Sequence, residues 1–134
     1  MKRVIIPDEQ WEFGENDLRI GTVEGPEMVK YNGKYYLTYS GSDYGQAWYG
    51  LGIAVSDSPM GEFKKIEAHP GHHSFFKIPN GEMYIAYHIH FNTTTLHPRL
   101  LCIDRARFST SKYGHVRIEI YAGPTRTPQP VPTT

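Results

Sequence analysis

The sequence predicts an all-β fold made of propeller-type blades, and three observations carry that expectation. No segment keeps a helical spacing of apolar residues; short strand-like runs alternate instead with Gly, Pro, Asn and Asp. Two stretches, "YNGKYYLTYS" from Tyr31 and "PNGEMYIAYH" from Pro79, superpose with their Asn-Gly pairs 48 residues apart. A repeat of about 48 residues with about four strands per unit is the period of a propeller blade.

Taken in order, "RVII" (3–6) reads as an extra N-terminal strand left over from a preceding blade. The first blade covers about 24–68. Its innermost strand is "EGPEMVK", and Asn32-Gly33 turns the chain into the second. That second strand, "KYYLTYS" (34–40), alternates Tyr36, Thr38 and Ser40 on one face with Tyr35, Leu37 and Tyr39 on the other. "YGLGIAVS" and "EFKKIE" follow as the third and fourth strands. The second blade covers about 72–122, with "HHSFFKI", a turn at Asn80-Gly81, "EMYIAYH", "RLLCID" and "HVRIEI". The tail 123–134 contains four prolines and cannot join a central strand. Two antiparallel four-stranded blades make a partial five-bladed ring, within one domain of 134 residues.

Composition narrows the function. Lys plus Arg number 14, as do Asp plus Glu, so no excess positive charge points to nucleic acid. The single cysteine, Cys102, excludes an internal disulfide and reads as inert core. The apolar run before Pro7 is too short for a signal peptide, and no stretch approaches a membrane span. The expectation is a soluble, cytoplasmic protein with no membrane partner. Ten tyrosines suit both half-buried sheets and sugar-facing surfaces.

Glu24 stands directly before the Gly25-Pro26 bend. It is either a solvated loop acid or a carboxylate at the mouth of a site. The repeat bears on the choice, because 48 residues on from Glu24 is His72. Both open a blade at its innermost strand, so both side chains are expected on one central surface. Glu27, three residues on, is expected on the opposite face with a structural role. Six of the seven histidines lie between 69 and 97. They read as hydrogen-bonded channel residues or as ligands of a cation, and no spacing matches a closed zinc site. Tyr44, Trp48 and Tyr49, in a loop between strands, either stack on sugar or pack blades together. Asp57 reads as a turn residue.

These stretches together resemble glycoside hydrolase family 43. "VEGPEMVKYNGKYYLTYSGSDYG", "YGLGIAVSDSPMGEFKK", "PGHHSFFKIPNGEMYIAYH", "RLLCIDRARF" and "GPTRTPQP" occur in the family's order, from about Trp11 to Pro130. The family comprises five-bladed propellers acting on arabinose- and xylose-containing glycans. The resemblance implies that Glu24 is the general acid, which has to carry its proton near neutral pH. It implies that His72 helps hold a central Ca²⁺ or Na⁺ through waters, with no cofactor required. Arg99, at the head of a late strand, falls near the substrate, with His88, Trp48 and Tyr49 as further sugar-facing candidates.

The family also uses two aspartates, a base and a residue that tunes the acid, far upstream of this glutamate. Only Asp8 and Asp17 precede Glu24, and neither sits in a matching motif. The chain thus matches the C-terminal two-fifths of the family fold, without its base. Three functions follow: a glycosidase completed by assembly, a non-catalytic carbohydrate-binding module, or one half of a split enzyme. The missing aspartate separates catalysis from binding. Two blades cannot close a ring, and an open apolar blade face loses roughly 25 cal/mol per Å² of the burial it would otherwise gain. A two-fold homodimer is the expected resolution.

Overall fold

The computed structural model describes residues 2–13, 21–46, 49–70, 72–91 and 98–120, the side chains of 67–70 excepted. Asp17, Trp48, His97 and the tail 123–134 lie outside the described residues, as does the side chain of His69. Strands β1 (Val23–Tyr31), β2 (Lys34–Gly41), β3 (Gly50–Ser56) and β4 (Lys64–Pro70) form one antiparallel sheet in that order. Strands β5 (His73–Lys77), β6 (Met83–His90), β7 (Arg99–Thr110) and β8 (Val116–Ile120) form a second. The repeat therefore corresponds to two four-stranded antiparallel blades.

The two Asn-Gly pairs make different hairpins. Tyr31 pairs with Lys34 across a two-residue loop, and Asn32 and Gly33 both have positive φ, 47° and 78°. That is the primed turn whose twist matches the strands. In the second blade Pro79 replaces Tyr31 and has no N–H to give the pair. The loop lengthens: Gly81 N donates to Ile78 O at 2.8 Å, Ile78 N donates to Glu82 O at 3.1 Å, and Gly81 takes φ 88°. This is a three-residue hairpin loop ending in a left-handed glycine.

The alternation in β2 holds. Tyr36, Thr38 and Ser40 face the second blade, and the core between the sheets joins Tyr36, Leu51 and Ile53 to Phe75, Met83, Ile85, Tyr87 and Ile118. Cys102 packs partly buried against this core. Glu27 departs from expectation. Glu24 pairs with Ser40 and Glu27 with Thr38, so Gly25-Pro26 together oppose one residue as a β-bulge. The bulge returns Glu24 and Glu27 to the same face. There Glu27 Oε2 accepts the Phe75 amide proton at 2.8 Å and joins the innermost strands of the two blades. Its role is structural as expected, but on the face opposite to the one expected.

Residues 3–6 form no strand. The N-terminal segment instead crosses the outer face of the first blade and ends in a short 3₁₀ turn, Gln10–Phe13. Gly41 leaves room for Trp11 of this segment, and Gly52 leaves room for the Tyr39 ring on which Trp11 stacks. A Cβ at Gly41 would stand 2.6 Å from the Trp11 ring, and one at Gly52 would run into the Tyr39 ring. Trp11 stacks on Tyr39 with centroids 6.1 Å apart. Beneath them Glu12 is wholly buried, yet every bond it needs is present. It accepts from Tyr39 OH (2.7 Å), from Lys65 Nζ (2.6 and 2.7 Å) and from the amides of Asp8 (2.7 Å) and Glu9 (2.9 Å). Lys65 also donates to Asp8 Oδ1 and to the Ile6 carbonyl. Asp57 is exposed and paired with Lys34.

Candidate active site

The bulge decides where Glu24 points. Gly25 takes φ 56°, a conformation its missing side chain permits, and Pro26 offers no N–H to the ladder. A bulge of this kind re-aims the neighbouring side chain, and Glu24 is carried toward the opening of the second blade. His72 meets it there. This residue precedes β5 with φ 54°, an uncommon backbone conformation for a non-glycine residue. Its amide donates to Ser40 Oγ at 2.9 Å, and Ser40 is the strand partner of Glu24. One serine thus ties together the two positions related by the repeat. No sequence signal marked it beyond its place on the inter-blade face.

Tyr49 lies between them. Its hydroxyl donates to Glu24 Oε1 at 2.5 Å and also lies 2.9 Å from His72 Nδ1, while Nδ1 and Oε1 are 4.0 Å apart. Burial, then the bond to Glu24, push the Tyr49 phenol up to about 12; the Ser40 hydroxyl opposes that rise. The side chains of Glu24 and His72 are 46% and 59% exposed, so the pair opens outward above a buried tyrosine. Tyr49 therefore offers the solvent its hydroxyl environment rather than a flat ring, and its ring packs against the histidines.

His88 and Arg99 complete the cluster. The Tyr49 and His88 rings stack at 5.8 Å, and His72 and His88 lie 5.6 Å apart. Arg99, the first residue of β7, places Nη1 3.3 Å from His88 Nε2. A guanidinium only donates, so Nε2 is the acceptor and the His88 proton sits on Nδ1. Burial, then the Arg99 charge, lower the His88 imidazole to about 4, so it stays neutral. The Arg99 guanidinium lies 5.3 Å from the Tyr44 ring centre, and its Nε is buried with no partner among the described residues. The structure thus gathers Glu24, Tyr49, His72, His88 and Arg99 at one end of the blade interface. Trp48, outside the described residues, is not placed.

His73 turns the other way, into the interface. Thr38 Oγ1 already donates to the Glu27 carbonyl at 3.1 Å. The 2.7 Å contact with Thr38 must therefore use a proton on His73 Nε2, which leaves the buried Nδ1 bare.

Among the described residues no three His, Cys, Asp or Glu side chains come together as a metal site. Calcium wants several oxygen donors, and the His72 nitrogen nearest the cluster is taken by Tyr49. The donor set does not fit a directly bound Ca²⁺ or Na⁺.

The sequence profile of the glycosyl hydrolases family 43 matches residues 3–112. A β-D-galactofuranosidase of Aspergillus niger is 39% identical over 101 residues, 66% of this chain and 30% of its own length. A β-xylosidase of Xylanibacter ruminicola is 40% identical over 67 residues, 46% of this chain and 20% of its own. The chain thus spans less than a third of either relative. The crystal structure of a thermostable family-43 glycoside hydrolase superposes with a TM-score of 0.76 at 31% identity, covering 98% of this chain and 44% of that one. An endo-1,4-β-xylanase from Bacteroides thetaiotaomicron gives 0.64 at 32% identity, over 84% of this chain and 41% of that one.

Proposed function

The chain belongs to glycosyl hydrolases family 43, and from that premise we propose that it supplies the general-acid side of a glycosidase site for xylose-, arabinose- or galactofuranose-containing glycans. The observation that supports this most directly is the Glu24 carboxylate, bonded on one oxygen by Tyr49 and otherwise open to solvent beside His72. Glu24 protonates the glycosidic oxygen as the bond to the sugar breaks. Arg99, whose guanidinium lies beside His88 and the Tyr44 ring, faces the sugar. Inversion needs a second carboxylate about 6.5–9.5 Å away to activate water. On this reading it comes from blades outside these 134 residues, on a partner chain or a longer polypeptide.

The test is an assay of the 134-residue chain on aryl xylosides, arabinofuranosides and galactofuranosides. Alone, it should give almost no turnover. With a family-43 fragment carrying the earlier blades, turnover should appear, and Glu24→Ala should lower it about 10²–10⁴-fold. The loss should be larger for alkyl than for nitrophenyl leaving groups, which need less acid help. Normal turnover by the chain alone, unchanged in Glu24→Ala, would sink the assignment. Sugar binding with no turnover in any combination would favour a carbohydrate-binding module.

We also propose that the chain works assembled, most simply as a homodimer when no other blades are present. Leu101 (77% exposed), Ile103 and Phe76 show apolar side chains to solvent on the second blade. In light scattering at micromolar concentration the expected result is a dimer. A stable monomer would mean this face is tolerated in water.

A further inference from the structure

Tyr49 has one hydroxyl proton and two neighbours placed to take it, Glu24 Oε1 and His72 Nδ1. An ionised carboxylate can only accept, whereas a neutral imidazole nitrogen can either donate or accept. At 2.5 Å a phenol and a carboxylate oxygen need the proton between them, so the proton goes to Glu24. His72 must then give Tyr49 a proton from Nδ1. Ser40 can offer its own hydroxyl proton to the Tyr49 oxygen, and a phenol oxygen can accept that bond as well as the one from His72. Ser40 Oγ accepts the His72 amide, and His88 Nε2 faces Arg99.

We propose that Tyr49 is a positioning residue for the acid: it occupies Oε1 of Glu24, which confines the acidic proton to Oε2, and it holds His72 with its proton on Nδ1. Among the described residues no hydrogen bond reaches Oε2. The Glu24 side chain is 46% exposed, so an oxygen not held by Tyr49 is available to a glycosidic oxygen. The catalytic meaning rests on Glu24 being the general acid. The hydrogen-bond assignment does not.

The experiment is two-bond ¹H–¹⁵N correlation of His72 in the ¹⁵N-histidine-labelled 134-residue chain. It is run at pH 8.5, where ordinary carboxylates are ionised and ordinary imidazoles neutral. The wild type should show a protonated Nδ1 and a bare Nε2. Glu24→Ala frees the phenol proton for His72, so the two nitrogens should exchange their signals. Tyr49→Phe, which keeps the ring stacked on His88, should also return the proton to Nε2. Because either variant alone is informative, a folding failure in one leaves the other decisive. A wild-type His72 protonated on Nε2 would overturn the proposal, as would a proton that stays on Nδ1 in both variants. An exchange of signals without any leaving-group effect of Glu24→Ala would uphold the Tyr49 assignment and remove only the acid reading.

Discussion

Replacing Glu12 with alanine is expected to destabilise the protein by about 3–5 kcal/mol, the usual cost of removing one partner of a buried ion pair. Glu12 is wholly buried and Lys65 nearly so, with its side chain 11% exposed. Without the carboxylate, Lys65 keeps, among the described residues, only the exposed Asp8 as a charged partner, and the amides of Asp8 and Glu9 and the Tyr39 hydroxyl lose their acceptor. Urea denaturation measures the loss. In the double variant Glu12→Ala/Lys65→Met no charge is stranded, so the combined cost should fall below the sum of the single costs. A Glu12→Ala protein within about 1 kcal/mol of wild type would show that the pair behaves like a surface one. The consequence extends to the site. Tyr39, which bonds Glu12, adjoins Ser40, which holds the His72 amide, so the N-terminal segment stiffens the strand that carries the clamp.

The repeat was legible because it rests on turn chemistry and period-2 alternation, both local properties. The same arithmetic placed Glu24 and His72 together at one end of the blades. Parity failed at Glu27, since counting residues assumes a regular pleat and Gly25-Pro26 inserts an extra one. The bend was visible in the sequence, but its effect on register appears only when the partner strand is known. Residues 3–6 looked like a strand by composition. Strand formation needs an open ladder edge, and the segment lies instead on a sheet face made accessible by two glycines. For Tyr49 the sequence leaves sugar stacking and blade packing both open, because its loop position does not say what it meets. Its burial comes from the rings of His72 and His88, which are distant in sequence. Glu12 carried no signal, since a glutamate in a charged, glycine-containing stretch looks solvated until Lys65 is brought to it.

Acidification should weaken the joint between the blades through His73, by about 2–3 kcal/mol. Burial, then the neighbouring charge of His72, lower the His73 imidazole from 6.5 to about 4. The geometry gives the reason. Its Nε2 proton already serves Thr38, so a second proton would sit on a buried Nδ1 with no acceptor among the described residues. The unfolded chain takes up that proton near pH 6.5 and the folded chain only near pH 4. Stability from this residue is therefore complete above pH 6.5 and falls as pH drops through the window from 6.5 to 4. His88 shifts in the same direction, but it is more exposed and contributes less. Urea midpoints at pH 7.5, 6, 5 and 4.5 should show the decline. In His73→Phe, Thr38 keeps its bond to the Glu27 carbonyl, and the decline should flatten over that window. Parallel slopes for the two proteins would assign the acid sensitivity to other groups. His73 immediately follows His72, so the acid that loosens the blade joint also frees the imidazole facing Glu24.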